Sequence, residues 1–390
     1  MRTEFYLKTS VNRLFLLVLI YFGTSSLLWA QKSKVIGVFQ LIENGKYEEA
    51  KGIIEDATSR KSTKKWARTW YARGVLCQEA YKKGTEKKDK KLYELYPNQL
   101  YVAFSSFEQT RRLDKRGKYD KLLAPRYVLL ANELIKSGQT YFNEKDYEEA
   151  LRAYELALRI YKSPVLTIKV DTNLLYNTAL SAYKCKNWKV ALQYLNELDE
   201  YRYSPNVPHL IFSIQMMQSD TVSANKTLLD GINNYKDNEQ LVLLLVDLLY
   251  KKDEPKKAVK VLNDAFKKDT SNYTYLYAKG LLYQKTEDYK KAIDAYTFAL
   301  SFPSDTLKIY TGIGTCYFNM GAEMDKKART ISNNTEYREV KETSNVAFNS
   351  ALIWLEKAYE MDKDNQELVS MLNRLYLALD KKEKIINSGP

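Results

Sequence analysis

One histidine and three cysteines are all that this chain of 390 residues offers to the commonest side-chain chemistries. His209 stands alone, which excludes a histidine-rich zinc site and argues against histidine-based acid–base catalysis. Cys77, Cys185 and Cys316 lie more than 100 residues apart, form no CxxC pair and are odd in number. A disulfide framework is therefore not expected, and isolated buried thiols are. The stretch GIGTCYFNMG (312–321) sets glycines beside Cys316, yet GxSxG, P-loop and HExxH patterns are all missing. The 48 carboxylates are interleaved with lysines, as on solvated helix faces, and nothing picks out two aimed at one cleft. The expectation is no catalytic residue, no cofactor, no metal and no enzyme activity.

A net charge of +13 could favour acidic partners. The excess is too diffuse to read as a nucleic-acid stripe, so nucleic acid is not expected as a partner. Glycine (14) and proline (8) are scarce and scattered, which leaves no room for long linkers between discrete domains.

What positions the remaining side chains must be sought in the chain's organisation. MRTEFYLKTSVNR carries Arg2, Lys8 and Arg13, the uncharged run LFLLVLIYF (14–22) follows, and GTSSLLWA ends at Ala30. That is the order of a secretory signal, with an apolar core short for a membrane span. Leu28 departs from the small residue usual three places before the cut. The alternative is an uncleaved anchor over Leu14–Ala30, and membrane association is expected only in that case. The body is expected to be exported, periplasmic or outer-envelope, and soluble once the signal is cut.

The phrase DYEEALRAYELAL (146–158) returns as DYKKAIDAYTFAL (288–300). Anchored on its alanine, the pattern falls at Ala50, Ala103, Ala150, Ala191, Ala224, Ala258, Ala292 and Ala351, with three successive steps of 33, 34 and 34 residues. A period of 34 with a helical pattern on each side of a short turn resembles the tetratricopeptide repeat (TPR). Gly280, Tyr283, Tyr289, Ala292, Tyr296 and Ala299 occupy that repeat's eighth, eleventh, seventeenth, twentieth, twenty-fourth and twenty-seventh places. Gly138, Tyr141, Tyr147, Ala150, Tyr154 and Ala157 fill the same six. Small residues suit the crossing of two helices, and aromatics fill the space between repeats.

The resemblance implies an all-α fold: a right-handed α-solenoid of about eight TPR-like helix pairs with a C-terminal capping helix. By residue number the expected organisation is a signal peptide at 1–30, N-terminal repeats at 31–125 with a lysine-rich insert at 81–99, and central repeats at 126–304. A repeat at 305–362 with a long helical insert at 322–349 follows, and a capping helix and tail occupy 363–390.

In TPR arrays the first helix of each repeat lines a concave groove. Carrying the groove positions over gives Tyr71, Tyr176, His209 and Tyr277, then Phe142, Tyr183, Tyr250 and Phe318, then Lys184, Lys251 and Lys285, with Asn143 beside them. Aromatic anchors next to basic and amide groups suit an extended peptide or an acidic tail. Tyrosine is abundant (32 residues), so packing between repeats is the competing use of these rings. The insert lysines over 82–91 read mainly as a solvated tip. The expected function is an exported, non-enzymatic scaffold or adaptor that binds a protein or peptide partner, acidic segments included, in the bacterial cell envelope. The alternative is a glycan-binding protein of an envelope uptake system.

Overall fold

A computed structural model describes residues 31–386 apart from 168, 170 and 237. Residues 1–30, where the sequence leads one to expect a signal peptide, and residues 387–390 lie outside the described residues. The fold is all-α, and the described residues contain no strand. No helix among them is long and apolar enough to cross a membrane.

Contacts gather the chain into two units, one ending at Tyr201 and the other starting at Arg202. The first unit holds α1 (31–43) and α2 (Tyr47–Ser59), then α3 (Ala67–Lys87), the short α4 (Lys90–Tyr93) and α5 (Gln99–Leu113). It continues with α6 (Asp120–Asn143) and α7 (Tyr147–Tyr161), then α8 (Thr172–Lys184) and α9 (Trp188–Glu200). The second unit pairs α10 (Asn206–Met217) with α11 (Thr221–Asn234), and α12 (Glu239–Lys251) with α13 (Pro255–Lys268). It then pairs α14 (Tyr273–Lys285) with α15 (Tyr289–Ala299), and α16 (Thr306–Ala328) with α17 (Asn334–Met361), and ends on α18 (Gln366–Ala378).

A single acidic or amide residue both ends one helix of a pair and starts the next. Asp146 N–H donates to the Tyr141 carbonyl at 2.9 Å, closing α6 in the manner of a Schellman motif. Its carboxylate then accepts from Glu149 N–H at 3.3 Å, capping α7. Lys145, just before it, takes the left-handed φ of 66° that reverses the chain. Asn187, Asp220 and Asp288 repeat both bonds, each after a left-handed residue: Lys186, Ser219 and Glu287.

In several pairs a bulky side chain is set against a glycine. Tyr154 of α7 lies against Gly138 of α6, and Tyr296 of α15 against Gly280 of α14. A Cβ on Gly280 would stand 2.5 Å from Tyr296 Cε1. Phe107 meets Gly74 and Leu355 meets Gly314 at the same places in their pairs. Tyr296 also reaches Gly312 of α16, so one ring closes a pair and joins it to the following one. Its hydroxyl donates to Gln284 Oε1 at 2.8 Å, which satisfies the only polar atom of a fully buried side chain.

The long first helix α3 and the lengthened pair α16–α17 depart from the regular period. The first two turns of the 81–99 segment extend α3, and Gly84 then passes close to the Tyr93 backbone as α4 folds back. Gln99 holds this return. Its amide donates to the Cys77 carbonyl at 2.8 Å and the Leu92 carbonyl at 3.1 Å, and its oxygen accepts from Tyr96 N–H at 2.9 Å. Leu95 and Tyr96 are buried, whereas Lys82, Lys83, Lys87, Lys88, Lys90 and Lys91 are all exposed. The segment thus has a solvated outer face and a packed inner one.

The joint sets an expected sign for two glycine substitutions. Gly280→Val should cost about 1–3 kcal/mol through overpacking against Tyr296. Gly52→Ala, in α2 with open space around it, should gain about 0.5–1 kcal/mol from helix propensity. Urea unfolding midpoints read both, and equal shifts of one sign would contradict the joint.

Candidate functional site

All twelve candidate groove residues fall on first helices of pairs: Tyr71 on α3, Phe142 and Asn143 on α6, Tyr176, Tyr183 and Lys184 on α8. His209 lies on α10, Tyr250 and Lys251 on α12, Tyr277 and Lys285 on α14, and Phe318 on α16. The four polar residues Asn143, Lys184, Lys251 and Lys285 are exposed, and the rings and His209 are half-buried.

Most of the rings are engaged within the fold on at least one side. Tyr71 sits among Phe39, Phe107 and Tyr119, with ring centroids 5.3–6.1 Å away. Phe142 meets Tyr147 edge-on at 5.2 Å, and Tyr183 meets Trp188 at 5.6 Å, each across its own turn. Tyr277 lies 5.6 Å from Tyr296, and Phe318 lies 5.9 Å from Phe348. The structure brings together Tyr250 and Lys285, whose ammonium stands 4.9 Å above the ring and links neighbouring first helices. Lys251 is paired to Asp247 at 2.7 Å on its own helix. The amide nitrogen of Gln240 lies 3.0 Å from His209 Nδ1, within hydrogen-bond distance.

Phe318 belongs to the most distinctive of these surfaces. It lines a pocket of about 400 Å³ formed by α16, α17 and α18, with Phe348 beside it. Around the two rings stand Lys326, Arg329, Lys341 and Arg374, against one carboxylate, Asp325. Arg329 Nη2 lies 2.7 Å from Asp325 Oδ2, and Lys341 Nζ binds its Oδ1. The hydrogen bond from Lys341, joined by that from Arg329, holds the Asp325 carboxyl below its ordinary range despite partial burial. Lys326 and Arg374 have no carboxylate partner among the described residues. The pocket is therefore cationic with an apolar floor. Sequence reading reached Phe318 and missed the four cations, which come from α16, its C-terminal cap, α17 and α18 and meet only in the folded chain.

Nucleophilic chemistry finds no support in the thiols. Cys316 is fully buried beside Tyr296, and burial pushes its thiol up to about 12. Burial likewise raises Cys77 to about 12, against a smaller opposing pull from Arg73. Both stay protonated at neutral pH and lack the thiolate that reacts. No group of His, Cys, Asp and Glu among the described residues could hold a metal ion.

Residues 131–164 match the tetratricopeptide repeat model. They coincide with one full period of the register set by Gly138 and Tyr154, across α6 and α7. Residues 152–306 match the model of the ChAPs (Chs5p-Arf1p-binding proteins). No curated protein matches the sequence. Among solved structures, the chain is similar to a TPR repeats protein from Bacteroides fragilis at 20% identity, covering 63% of this chain and 98% of that one, with a TM-score of 0.33. It is also similar to the C-terminal part of a TPR repeat-containing protein from Cytophaga hutchinsonii: 14% identity, 64% and 96% coverage, TM-score 0.39. A third similar structure is a tetratricopeptide repeat protein from Parabacteroides merdae: 14% identity, 77% and 99% coverage, TM-score 0.34. One stretch of the chain, over α6 and α7, thus matches the tetratricopeptide repeat.

The burial of the thiols sets an order of reactivity. Iodoacetamide at pH 8 should modify the half-exposed Cys185 first and leave Cys77 and Cys316 unmodified until the chain unfolds. Mass spectrometry of timed samples reads this. Native-state labelling of Cys316 as fast as Cys185 would contradict its placement.

Proposed function

We propose that this protein is an exported, non-catalytic adaptor of the bacterial cell envelope that binds protein partners through the first-helix faces of its repeats. One site takes an acidic segment at the α16–α18 pocket. The observation that carries this reading is the composition of that pocket: four cations and one carboxylate around Phe318 and Phe348. Two of the cations are already committed to Asp325, and Lys326 and Arg374 are left to meet an incoming carboxylate. The phenylalanine floor would seat an apolar side chain next to the acidic ones, which adds area burial to charge pairing.

Export rests on the basic start and the uncharged run Leu14–Phe22, with a cut after Ala30. An oxidising compartment is compatible with the cysteines, since Cys77 and Cys316 are each buried in separate parts of the chain.

The acidic site has a direct solution test. A fluorescent peptide with leucine beside a run of glutamates should bind the full chain, and binding should weaken as salt rises. Lys326→Glu combined with Arg374→Glu should weaken it at least tenfold, since each reversal replaces an attraction on the order of 0.5–1 kcal/mol by a repulsion. Unchanged affinity in that variant, or equal binding of an uncharged peptide of the same length, would remove the reading.

A further inference from the structure

We propose that the pocket between the 81–99 segment and α6 is a second binding site, and that it takes an extended, proline-rich segment of a partner protein. The proposal shares with the reading above only the premise that the ligand is a protein segment. It lies in the first unit and uses none of the residues of the acidic-segment pocket.

The pocket measures about 610 Å³ and is walled by Tyr81 of α3, Tyr93 of α4, Tyr101 of α5 and Tyr141 of α6, with Asn98 and Thr140 between them. That volume lies within the range of ordinary ligand sites. Although six lysines decorate the segment, none lines the pocket. Its one charged wall residue, Glu94, lies 3.7 Å from Lys90. The site therefore offers aromatic faces, hydroxyls and amides with almost no net charge, and it selects for a neutral ligand.

Two features show that the walls are built in advance. Tyr101 is fixed at its tip, where the hydroxyl donates to Glu149 Oε2 at 3.1 Å, and on its face, where the Arg152 guanidinium lies 5.4 Å from the ring centroid. The loop before α5 is fixed by the three Gln99 hydrogen bonds, by the Tyr96 hydroxyl donating to Glu55 Oε1 at 2.8 Å, and by Lys51 donating to the Leu95 carbonyl at 2.7 Å. Preorganised aromatic walls lower the ordering cost of binding. The hydroxyls of Tyr93 and Tyr141, by contrast, have no hydrogen-bond partner among the described residues. They are donors with nothing to donate to inside the fold.

A polyproline II segment matches this inventory. It has no internal hydrogen bonds, so its carbonyls require donors, and its prolines bring no N–H that requires an acceptor. Flat prolyl rings dock on aromatic faces, and the chain is stiff before it binds, so little entropy is lost. An acidic or basic segment would find no counter-ion here. A neutral saccharide, which could pair with the same hydroxyls and the Asn98 amide, is the competing occupant that the test below separates.

The test is fluorescence anisotropy of labelled decaproline with the full chain. Saturable binding is expected, weakened about tenfold by Tyr93→Phe combined with Tyr141→Phe. Because those two hydroxyls make no hydrogen bond among the described residues, the variant should keep the wild-type thermal midpoint. The variant with Lys326→Glu and Arg374→Glu should bind decaproline as the wild type does, and the tyrosine variant should still bind the acidic peptide. Three results would overturn the proposal: no saturation by decaproline, unchanged affinity in the double phenylalanine variant, or displacement of decaproline by maltohexaose at lower concentration than unlabelled decaproline. Loss of acidic-peptide binding alone would overturn only the reading in the preceding subsection.

Discussion

A ring pressed against a glycine is the contact on which the α3–α5, α6–α7 and α14–α15 pairs depend. Where Tyr154 meets Gly138 and Tyr296 meets Gly280, no side chain larger than hydrogen leaves the ring in place. This brings two helix backbones closer than leucine or valine would allow, and the ring fills the gap that the bare backbone leaves. The spacing between glycine and ring is constant because the three-residue turn between them is constant. A left-handed residue reverses the chain, and the following Asp or Asn closes one helix and caps the next. Joint and turn together make each pair a stiff unit that still has an unburied apolar side. Stacking covers that side, as when Tyr296 reaches past its own pair to Gly312.

The same arrangement decides which residues are left for binding. The second helices α5, α7 and α15 turn Phe107, Tyr154 and Tyr296 inward, onto joints. First helices present the remaining side to solvent, and the candidate residues Tyr250, Lys285 and Phe318 lie there. The acidic-segment pocket and the tyrosine pocket both occur where the period is broken. In the first unit the 81–99 segment folds back along α3 and turns its tyrosines toward α6. In the second, α16 and α17 run on past the regular length and bring Lys326, Arg329 and Lys341 beside Arg374 of α18.

How much of this was legible in the sequence follows from the same division. The all-α architecture was readable because its determinants recur: Gly138 and Tyr154 keep the spacing of Gly280 and Tyr296, and a pattern repeated at a fixed period needs no three-dimensional information to be seen. First-helix placement of the twelve candidates came with that register. Their partners did not. Nothing in the sequence indicates that Tyr71 would sit among Phe39, Phe107 and Tyr119, or that Phe142 would turn toward Tyr147. The cations around Phe318 escaped because they are contributed from α16, its C-terminal cap, α17 and α18, far apart along the chain. The tyrosine pocket escaped for a different reason. The lysines dominate the composition of its segment and suggest a solvated tip, and only the Gly84 approach and the Gln99 hydrogen bonds reveal a packed inner face.

The central claim is that protein partners are bound by the first-helix side and not by the outer faces of the second helices. Photo-cross-linking in intact cells tests it most directly, with a photoreactive amino acid placed at Phe318 in one strain and at the exposed Ile353 of α17 in another. The account predicts discrete, reproducible protein adducts from position 318 and none from position 353. Adducts of the same size and yield from both positions, or none from either, would contradict it.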